Sequence, residues 1–291
     1  MGSAMSYTLG VLGGSGLYEM EGLTDVSEID VDTPFGRPSD VLVKGTLDNG
    51  TTLLFLPRHG RGHRIPPHGI NYRANVCALK KAGATHLVSV SAVGSMREEI
   101  EPGHLVVPDQ FIDVTKKRIS TFFEDGIVGH VPFADPTCTL LGAALADAAD
   151  RAGAKVHRGG TYLCMEGPQF STRAESRVYR TWGVSVIGMT SMPEAKLARE
   201  AELPFATLAL ATDYDCWHDG HDAVTVEQVV ATMKKNVAFA KKTLVELSGH
   251  LPDPTKSIAH HCIKGAIMTA SIAVTADARA RLGWLLGDSL G

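Results

Sequence analysis

Nothing in the 291-residue sequence approaches the ~20 uninterrupted apolar residues of a membrane span. The amino end, MGSAMSYTLG, has neither a basic segment nor a long apolar run, so it does not read as a secretory signal. Positive charge is not in excess. The 28 Lys+Arg against 32 Asp+Glu leave a net charge of -4, which argues against a nucleic-acid binder that relies on a bulk positive field. Cysteine is sparse, and its count of 5 is odd, which suits a reducing, cytoplasmic setting better than a disulfide framework. Two nucleotide signatures are missing. The glycine-rich start does not match G-x-G-x-x-G, because position 18 is Tyr, and no Gly-Lys-Ser/Thr of a P-loop follows it. His218 with His221, and His260-His261-Cys262, complete no four-ligand set, so no metal is expected.

Glycine, by contrast, is plentiful. Its 30 residues imply many tight turns or backbone that approaches a ligand closely. Hydrophobic residues at 44% and charged residues at 21% describe a folded chain rather than a disordered one. The segments Leu9 to Leu12, Thr51 to Leu56, His86 to Val90, Leu105 to Val107, Thr161 to Met165, Ser185 to Ile187 and Phe205 to Ala211 read as strands. Between them lie helix signals. Asn71 can cap a helix from Tyr72 to Ala82 that stops at Gly83, and Thr139 to Ala152 is Ala/Leu-rich and closed by Gly153. A helix through Arg173 to Trp182 follows, Pro193 sits near a helix N1 position, and Thr225 with Gln228 forms a capping box before a long helix. This alternation predicts an α/β fold. Residues 1–5, with the first four before Met5 resembling an expression remnant, are set apart. Residues 6–250 are read as one domain and 251–291 as a partly ordered tail, because the pattern weakens after Pro252 and Pro254.

The unusual clusters fall just after predicted strands, where open α/β sheets bind ligands. Gly13-Gly14-Ser15-Gly16 is either a phosphate cradle or a tight turn. Arg58-His59-Gly60-Arg61-Gly62-His63 places two arginines and two histidines in six residues and reads as an anion site, Arg supplying a planar fork. A metal pair from His59 and His63 would need a helix, which Gly60 and Gly62 disfavour. Ser91-Ala92-Val93-Gly94-Ser95 offers hydroxyls and amides, and Met189-Thr190 a hydroxyl beside a thioether that could lie against a sugar. Asp213-Tyr214-Asp215 follows the most apolar strand; if strand geometry continued, its two carboxylates would point the same way and suit the N–H and ring nitrogen of a heterocycle. The plain alternative for that pair is a cap or surface turn. Val226, Val229 and Val230 lie at helix spacing and read first as core, second as the lining of an apolar pocket.

Taken in order, the motifs resemble a known family over about residues 8–248: Gly13 to Leu17, Asp32-Thr33-Pro34-Phe35-Gly36, Arg58-His59-Gly60, Asn71 to Asn75, Glu166 to Ser171, Arg173-Ala174-Glu175-Ser176, Met189-Thr190 with Pro193-Glu194, and Thr212 to Trp217. The chain is similar to the trimeric purine nucleoside phosphorylases, and most so to the 5'-methylthioadenosine phosphorylases. The resemblance implies a central, mostly parallel mixed β-sheet, partly closed and flanked by helices. It also implies a homotrimer, or dimer of trimers, with sites near the subunit interfaces. The implied reaction is attack of orthophosphate on the anomeric carbon of 5'-methylthioadenosine, giving adenine and 5-methylthioribose 1-phosphate, with no cofactor, in methionine and purine salvage. By the same resemblance Ser15, Arg58, His59, Ser91, Ala92 and Thr190 would hold phosphate, Met189 the ribose and Phe170 the purine. Asp213 and Asp215 would read N7 and the amino edge. His63 would assist near the ribose or phosphate, His130 would reach a neighbouring subunit's site, and Val226 and Val229 would line the 5' pocket. Ser15 and Ser91 stand where many relatives carry Thr, and both keep the hydroxyl. Ser171 and Asp213, where 6-oxopurine-specific relatives carry Glu and Asn, favour a 6-aminopurine.

In this reading a protonated Asp213 relieves the charge on the departing purine, and burial together with the neighbouring Asp215 charge would favour its protonation. Three alternatives stand beside it. One is a 6-oxopurine or methylthioinosine phosphorylase. Another is a histidine phosphatase, whose Arg-His-Gly follows the first strand whereas a Gly-rich strand precedes it here. The third is a non-catalytic nucleoside-binding module on the same fold.

Overall fold

The computed structural model of the protein describes residues 7–14, 16, 17, 20, 22–218 and 226–287, the side chains of residues 226–230 excepted. Ser15, the side chains of Val226 and Val229, the Thr225–Gln228 capping pair and residues 1–5 lie outside the described residues. The strands are β1 (Thr8–Gly13), β2 (Leu23–Ile29), β3 (Leu42–Leu47), β4 (Thr52–Pro57), β5 (His86–Ser95), β6 (Leu105–Val107), β7 (Gln110–Asp113), β8 (Val156–Arg158), β9 (Thr161–Cys164), β10 (Val184–Gly188) and β11 (Phe205–Asp213). The helices are α1 (Tyr72–Lys81), α2 (Thr139–Arg151), α3 (Arg173–Thr181), α4 (Ser191–Glu200), α5 (Val226–Ser248) and α6 (Ala276–Leu286).

One 11-stranded sheet runs in the order β2-β3-β4-β1-β5-β10-β9-β7, and β11 joins a branch from β5 through β6 to β8. Strands β1, β4, β5 and β11 are parallel neighbours, whereas β10 meets β5 antiparallel and β2-β3-β4 is an antiparallel meander. The central strands are apolar on both faces, as a doubly covered sheet requires. Leu12, Leu54 and Leu56 face a layer that contains α1 and α4. Leu9, Val11, Leu53 and Phe55 face α2 and α5. The alternation within each strand assigns its side chains to the two layers.

Several elements differ from the sequence expectation. β5 does not break at Val90 but continues to Ser95, because β11 pairs with it from Leu87 to Gly94 and β10 takes its last two residues. β11 likewise runs on to Asp213. The polar β2 and the short β7 and β8 carry no apolar run, so only pairing with neighbours makes them strands. Pro193 does not open regular helix: Met192 and Pro193 depart from helical φ/ψ inside α4.

The segment after residue 250, read from the sequence as a partly ordered tail, packs onto the layer of α1 and α4. Val274, Ala278, Leu282 and Leu286 recur every four residues and bury in the layer of α1 and α4. Thr275 caps α6 by accepting a hydrogen bond from Ala278 N–H, and Ile267 bridges antiparallel to Gly129. His86 at the base of β5 donates Nε2–H to the Pro252 carbonyl at 2.8 Å, joining the sheet to this segment.

Burial lowers the His86 pKa to about 4 against the Pro252 and Asp253 contributions, from an ordinary 6.5. The unfolded chain therefore takes up this proton first as pH falls. The contribution to stability is complete above about pH 6.5 and is lost progressively toward pH 4. Thermal denaturation across that window is expected to show the melting temperature falling with pH, with a shallower fall in His86→Gln. An identical slope in the variant would assign the pH dependence elsewhere.

Candidate active site

The ends of β1, β4, β5, β10 and β11 converge. The register places Gly13 beside Pro57, Leu12 beside Ser89, and Asp213 beside Gly94. Each cluster singled out after a strand therefore belongs to one edge of the sheet, except where it lies outside the described residues.

One end of the site is built on hydroxyls. Ser91 Oγ lies 3.1 Å from Thr190 Oγ1 and 3.1 Å from Tyr162 Oη. Residues 99 apart thus share one small polar group, with Ala92 exposed beside it. Gly188 makes room for this arrangement, since a Cβ there would collide with Tyr162 Oη.

Beneath it, Arg58 is only 2% exposed. Its fork is not open, as the sequence reading expected, but largely committed. Nε donates to Glu194 Oε1 at 2.7 Å and Nη2 reaches Glu194 Oε2 at 3.1 Å. Nη1 donates to the Val90 carbonyl at 2.7 Å, and Nη2 to the Leu12 carbonyl and Ser89 Oγ at 2.8 Å each. A guanidinium buried this deeply requires a carboxylate and carbonyls around it. One Nη1 hydrogen remains outside these bonds.

His59 Nδ1 faces the Ile65 carbonyl at 2.8 Å, so that nitrogen carries the hydrogen. Burial pulls the His59 pKa down to about 4, which leaves a neutral ring with a bare Nε2 at physiological pH. His63 stacks on it with ring centroids 4.2 Å apart.

The carboxylate pair sits at the other end. The two side chains meet, but not by continued strand geometry. β11 stops at Asp213, and Asp215 turns with φ 52° into a short 3-10 turn, Asp215–Trp217. Asp215 N–H donates to Asp213 Oδ1 at 2.8 Å. Thr212 Oγ1 lies 2.7 Å from Asp213 Oδ2 and 3.2 Å from the Val93 carbonyl, so its single proton has two acceptors. Burial raises the Asp215 pKa, the Asp213 charge adds to this, and hydrogen bonds from Ser176 and Cys216 oppose it. Gly94 lies against the pair: a Cβ there would come within 3.0 Å of Asp213 Oδ1 and 3.2 Å of Asp215 Cβ.

Phe170 is 81% exposed, leaving its ring available to a ligand. Ser171 Oγ donates to Met165 Sδ at 3.5 Å, and Cys216 Sγ to the Ser171 carbonyl at 3.4 Å, so this loop and the carboxylate turn are tied together. Met189 packs half-buried against the cluster that contains Tyr214 and Trp217. His130 is exposed and distant in kind. Its backbone N–H donates to the Ala266 carbonyl, and no hydrogen bond or ring contact among the described residues joins it to the site.

Sequence reading assigned no role to four residues that organise this edge: Glu194, Tyr162, Ser176 and Arg118. The Arg118 side chain is sealed. Nη1 donates to the Met189 and Met192 carbonyls at 2.6 Å each and to Tyr72 Oη at 2.9 Å. Nη2 donates to the Glu166 and Met165 carbonyls at 2.7 and 3.2 Å, and Nε to Glu166 Oε1 at 3.0 Å. Nothing local in Lys116-Lys117-Arg118 distinguishes it from a solvated basic run. Among the described residues no group of three or more His, Cys, Asp or Glu is placed to hold a metal.

A family model described as the phosphorylase superfamily matches residues 8–248. The chain belongs to the phosphorylase superfamily. Among its relatives, the S-methyl-5'-thioadenosine phosphorylase of Geobacter sulfurreducens is 57% identical over 285 residues, covering 98% of this chain and 99% of that protein. That of Thermosynechococcus vestitus is 51% identical, covering 98% and 100%. A crystal structure of methylthioadenosine phosphorylase from an antarctic soil metagenomic library superposes with a TM-score of 0.92 at 46% identity, covering 97% of this chain and 99% of that one. A mutant adenosine/methylthioadenosine phosphorylase from Schistosoma mansoni, in complex with methylthioadenosine, superposes with a TM-score of 0.83 at 35% identity, covering 90% and 99%.

In this phosphorylase the contact at Gly94 makes a sharp prediction. Gly94→Ala is expected to keep the fold but displace the carboxylates by a few tenths of an ångström, lowering kcat/KM about 10-fold or more. Unchanged kinetics with an unchanged melting temperature would show that the pair tolerates the intrusion.

Proposed function

We propose that the protein catalyses phosphorolysis of 5'-methylthioadenosine, yielding adenine and 5-methylthioribose 1-phosphate. The observation that carries this reading is the meeting of an oxyanion-sized polar group with an acidic pair at one sheet edge: Ser91 and Thr190 on one side, Asp213 and Asp215 on the other. The superfamily membership and the relatives' names agree with it.

Phosphate is held by the Ser91 and Thr190 hydroxyls, the Ala92 backbone, His59 and the remaining Arg58 N–H, and Ser15, outside the described residues, keeps the phosphate role that the resemblance gives it. The bare Nε2 of His59 accepts a hydrogen bond from a protonated phosphate oxygen, while His63 braces its ring. The phosphate anion stabilises the positive charge that develops at the anomeric carbon as the glycosidic bond lengthens. The carbon–nitrogen bond breaks, a carbon–oxygen bond to phosphate forms, and the purine leaves with the bonding pair. In the form of the site in which Asp213 carries a proton on Oδ2, with Thr212 turning its hydroxyl toward the Val93 carbonyl, Asp213 gives that proton to N7 and is left as the carboxylate. Asp215 accepts from the 6-amino group, Phe170 covers the ring, and Met189 lies along the ribose. Ser171 leaves room and no competing charge at the base edge. Val226 and Val229, whose side chains lie outside the described residues, keep the 5'-pocket role that the resemblance gives them. Because phosphate itself is the nucleophile, this route uses no cofactor.

The working assembly is a homotrimer, in which His130 reaches a neighbouring copy's site. Support comes from Val128 and Met268, exposed apolar residues on the same hydrogen-bonded pair of segments as His130. Sedimentation should return three chain masses; a single-chain mass at working concentration would oppose this. Five free thiols suit a reducing, cytoplasmic setting for such a salvage enzyme.

Adenine release from methylthioadenosine should require phosphate and be faster than base release from adenosine, inosine and methylthioinosine. In the same assay Asp213→Asn should lower kcat by about 10²–10⁴-fold. Release without phosphate, faster turnover of a 6-oxopurine nucleoside, or a loss below a few-fold in Asp213→Asn would each refute the corresponding part.

A further inference from the structure

Ser176 lies in α3, one residue past a complete capping box in which Thr172 accepts from Glu175 N–H and the Glu175 carboxylate accepts from Thr172 N–H. Its own N–H makes the expected helical bond to the Thr172 carbonyl at 3.0 Å. A serine in such a place ordinarily turns its hydroxyl back to the same carbonyl or out to water. Here it does neither. The residue is 0% exposed, and its Oγ donates to Asp215 Oδ2 at 2.5 Å, across 39 residues of sequence. The acceptor is unusual as well. Asp215 is a non-glycine residue held at φ 52°, a conformation that persists only where its surroundings enforce it.

We propose that Ser176 is a positioning residue that sets the preference for 6-aminopurines, acting through Asp215. Its buried hydroxyl occupies Oδ2, fixes the plane of the carboxylate and leaves Oδ1 to accept from an exocyclic amine. A hydroxyl donates to the ionised carboxylate far better than to its protonated form, so Ser176 also keeps Asp215 an acceptor rather than a donor. This matters because burial works in the opposite direction, raising the Asp215 pKa, with only Ser176 and Cys216 groups pulling it down. Without Ser176, the opposing pull is weakened and the balance moves toward a protonated Asp215. Such a carboxyl suits a 6-oxo group better than a 6-amino group. Neither Asp213, engaged by Thr212 and the Asp215 amide, nor the rigid helix start can take over this contact. The proposal rests on the phosphorolysis reading above.

The test is a cycle in which the amino group is removed from the ligand. Ser176→Ala should fold normally, since alanine is the better helix former. At saturating phosphate and pH 7, it should lower kcat/KM for 5'-methylthioadenosine about 10-fold or more, the weight of a charge-assisted hydrogen bond. For the 5'-methylthio nucleoside of purine itself, with hydrogen in place of the 6-amino group, the change should stay below about 2-fold. The acid limb of the methylthioadenosine pH profile should move to higher pH in Ser176→Ala. In an Asp215→Ala background the same substitution should have no further effect. Equal losses with both nucleosides, an unmoved acid limb, or full additivity with Asp215→Ala would each reduce Ser176 to a packing role and overturn the proposal. Failure of the wild-type protein to release adenine would instead remove the phosphorolysis reading, so the two failures are distinguishable.

Discussion

The site is organised around one buried ion pair. Arg58 and Glu194 lock together where β1 and β4 end beside the middle of β5, and the same guanidinium takes the carbonyls of Leu12 and Val90 and the hydroxyl of Ser89. Ser89 in turn donates to Glu194 Oε2 at 2.7 Å, so the pair is closed by a third partner. Removing one member of such a pair strands the other charge in the interior, at a cost of about 3–5 kcal/mol. The strand ends are therefore held in one geometry before any ligand arrives, and the Ser91–Thr190 hydroxyls lie directly beyond them. Preorganisation of this kind lets polar groups act without reorganising during the reaction.

A second arginine does for the base-binding side what Arg58 does for the hydroxyl side. Arg118 gathers four carbonyls, from Met165, Glu166, Met189 and Met192, around one planar cation. This ties the loop after β9, which leads to Phe170 and Ser171, to the segment that carries Met189 and Thr190. Backbone carbonyls in irregular segments need donors as much as those in regular elements do. One guanidinium with five N–H groups satisfies several of them at once and so fixes two loops relative to each other. The groups that meet the ligand can then be small and mobile, because the loops that carry them are not.

Legibility in the sequence tracked locality. The Asn71 cap is visible in the sequence and present in the fold, where its side chain accepts from Ala74 N–H, because a cap depends on residues three apart. The apolar strands β1, β4 and β11 are legible for the same reason. The β2–β3 arm and the short β7 and β8 are not, since their strand state comes from neighbours rather than from their own pattern. The final helix hid because the buried residues of its segment, Val274, Ala278, Leu282 and Leu286, follow two prolines and recur only once in four positions.

The sequence by itself determined which chemistries are present and in what order: hydroxyls, an arginine-histidine cluster and a pair of carboxylates, each in or just after a strand's last residues. That much follows from short-range rules, because side-chain type and strand ends are local properties. Only the tertiary structure decided which groups are spent on one another and which are left for a ligand. Glu194 claims the Arg58 fork from 136 residues away, Ser176 claims one oxygen of Asp215 from 39, and a left-handed turn rather than a continuing strand brings the carboxylates together. Side-chain hydrogen bonds between distant segments have no sequence period, and their partners are settled by which elements lie side by side in the fold.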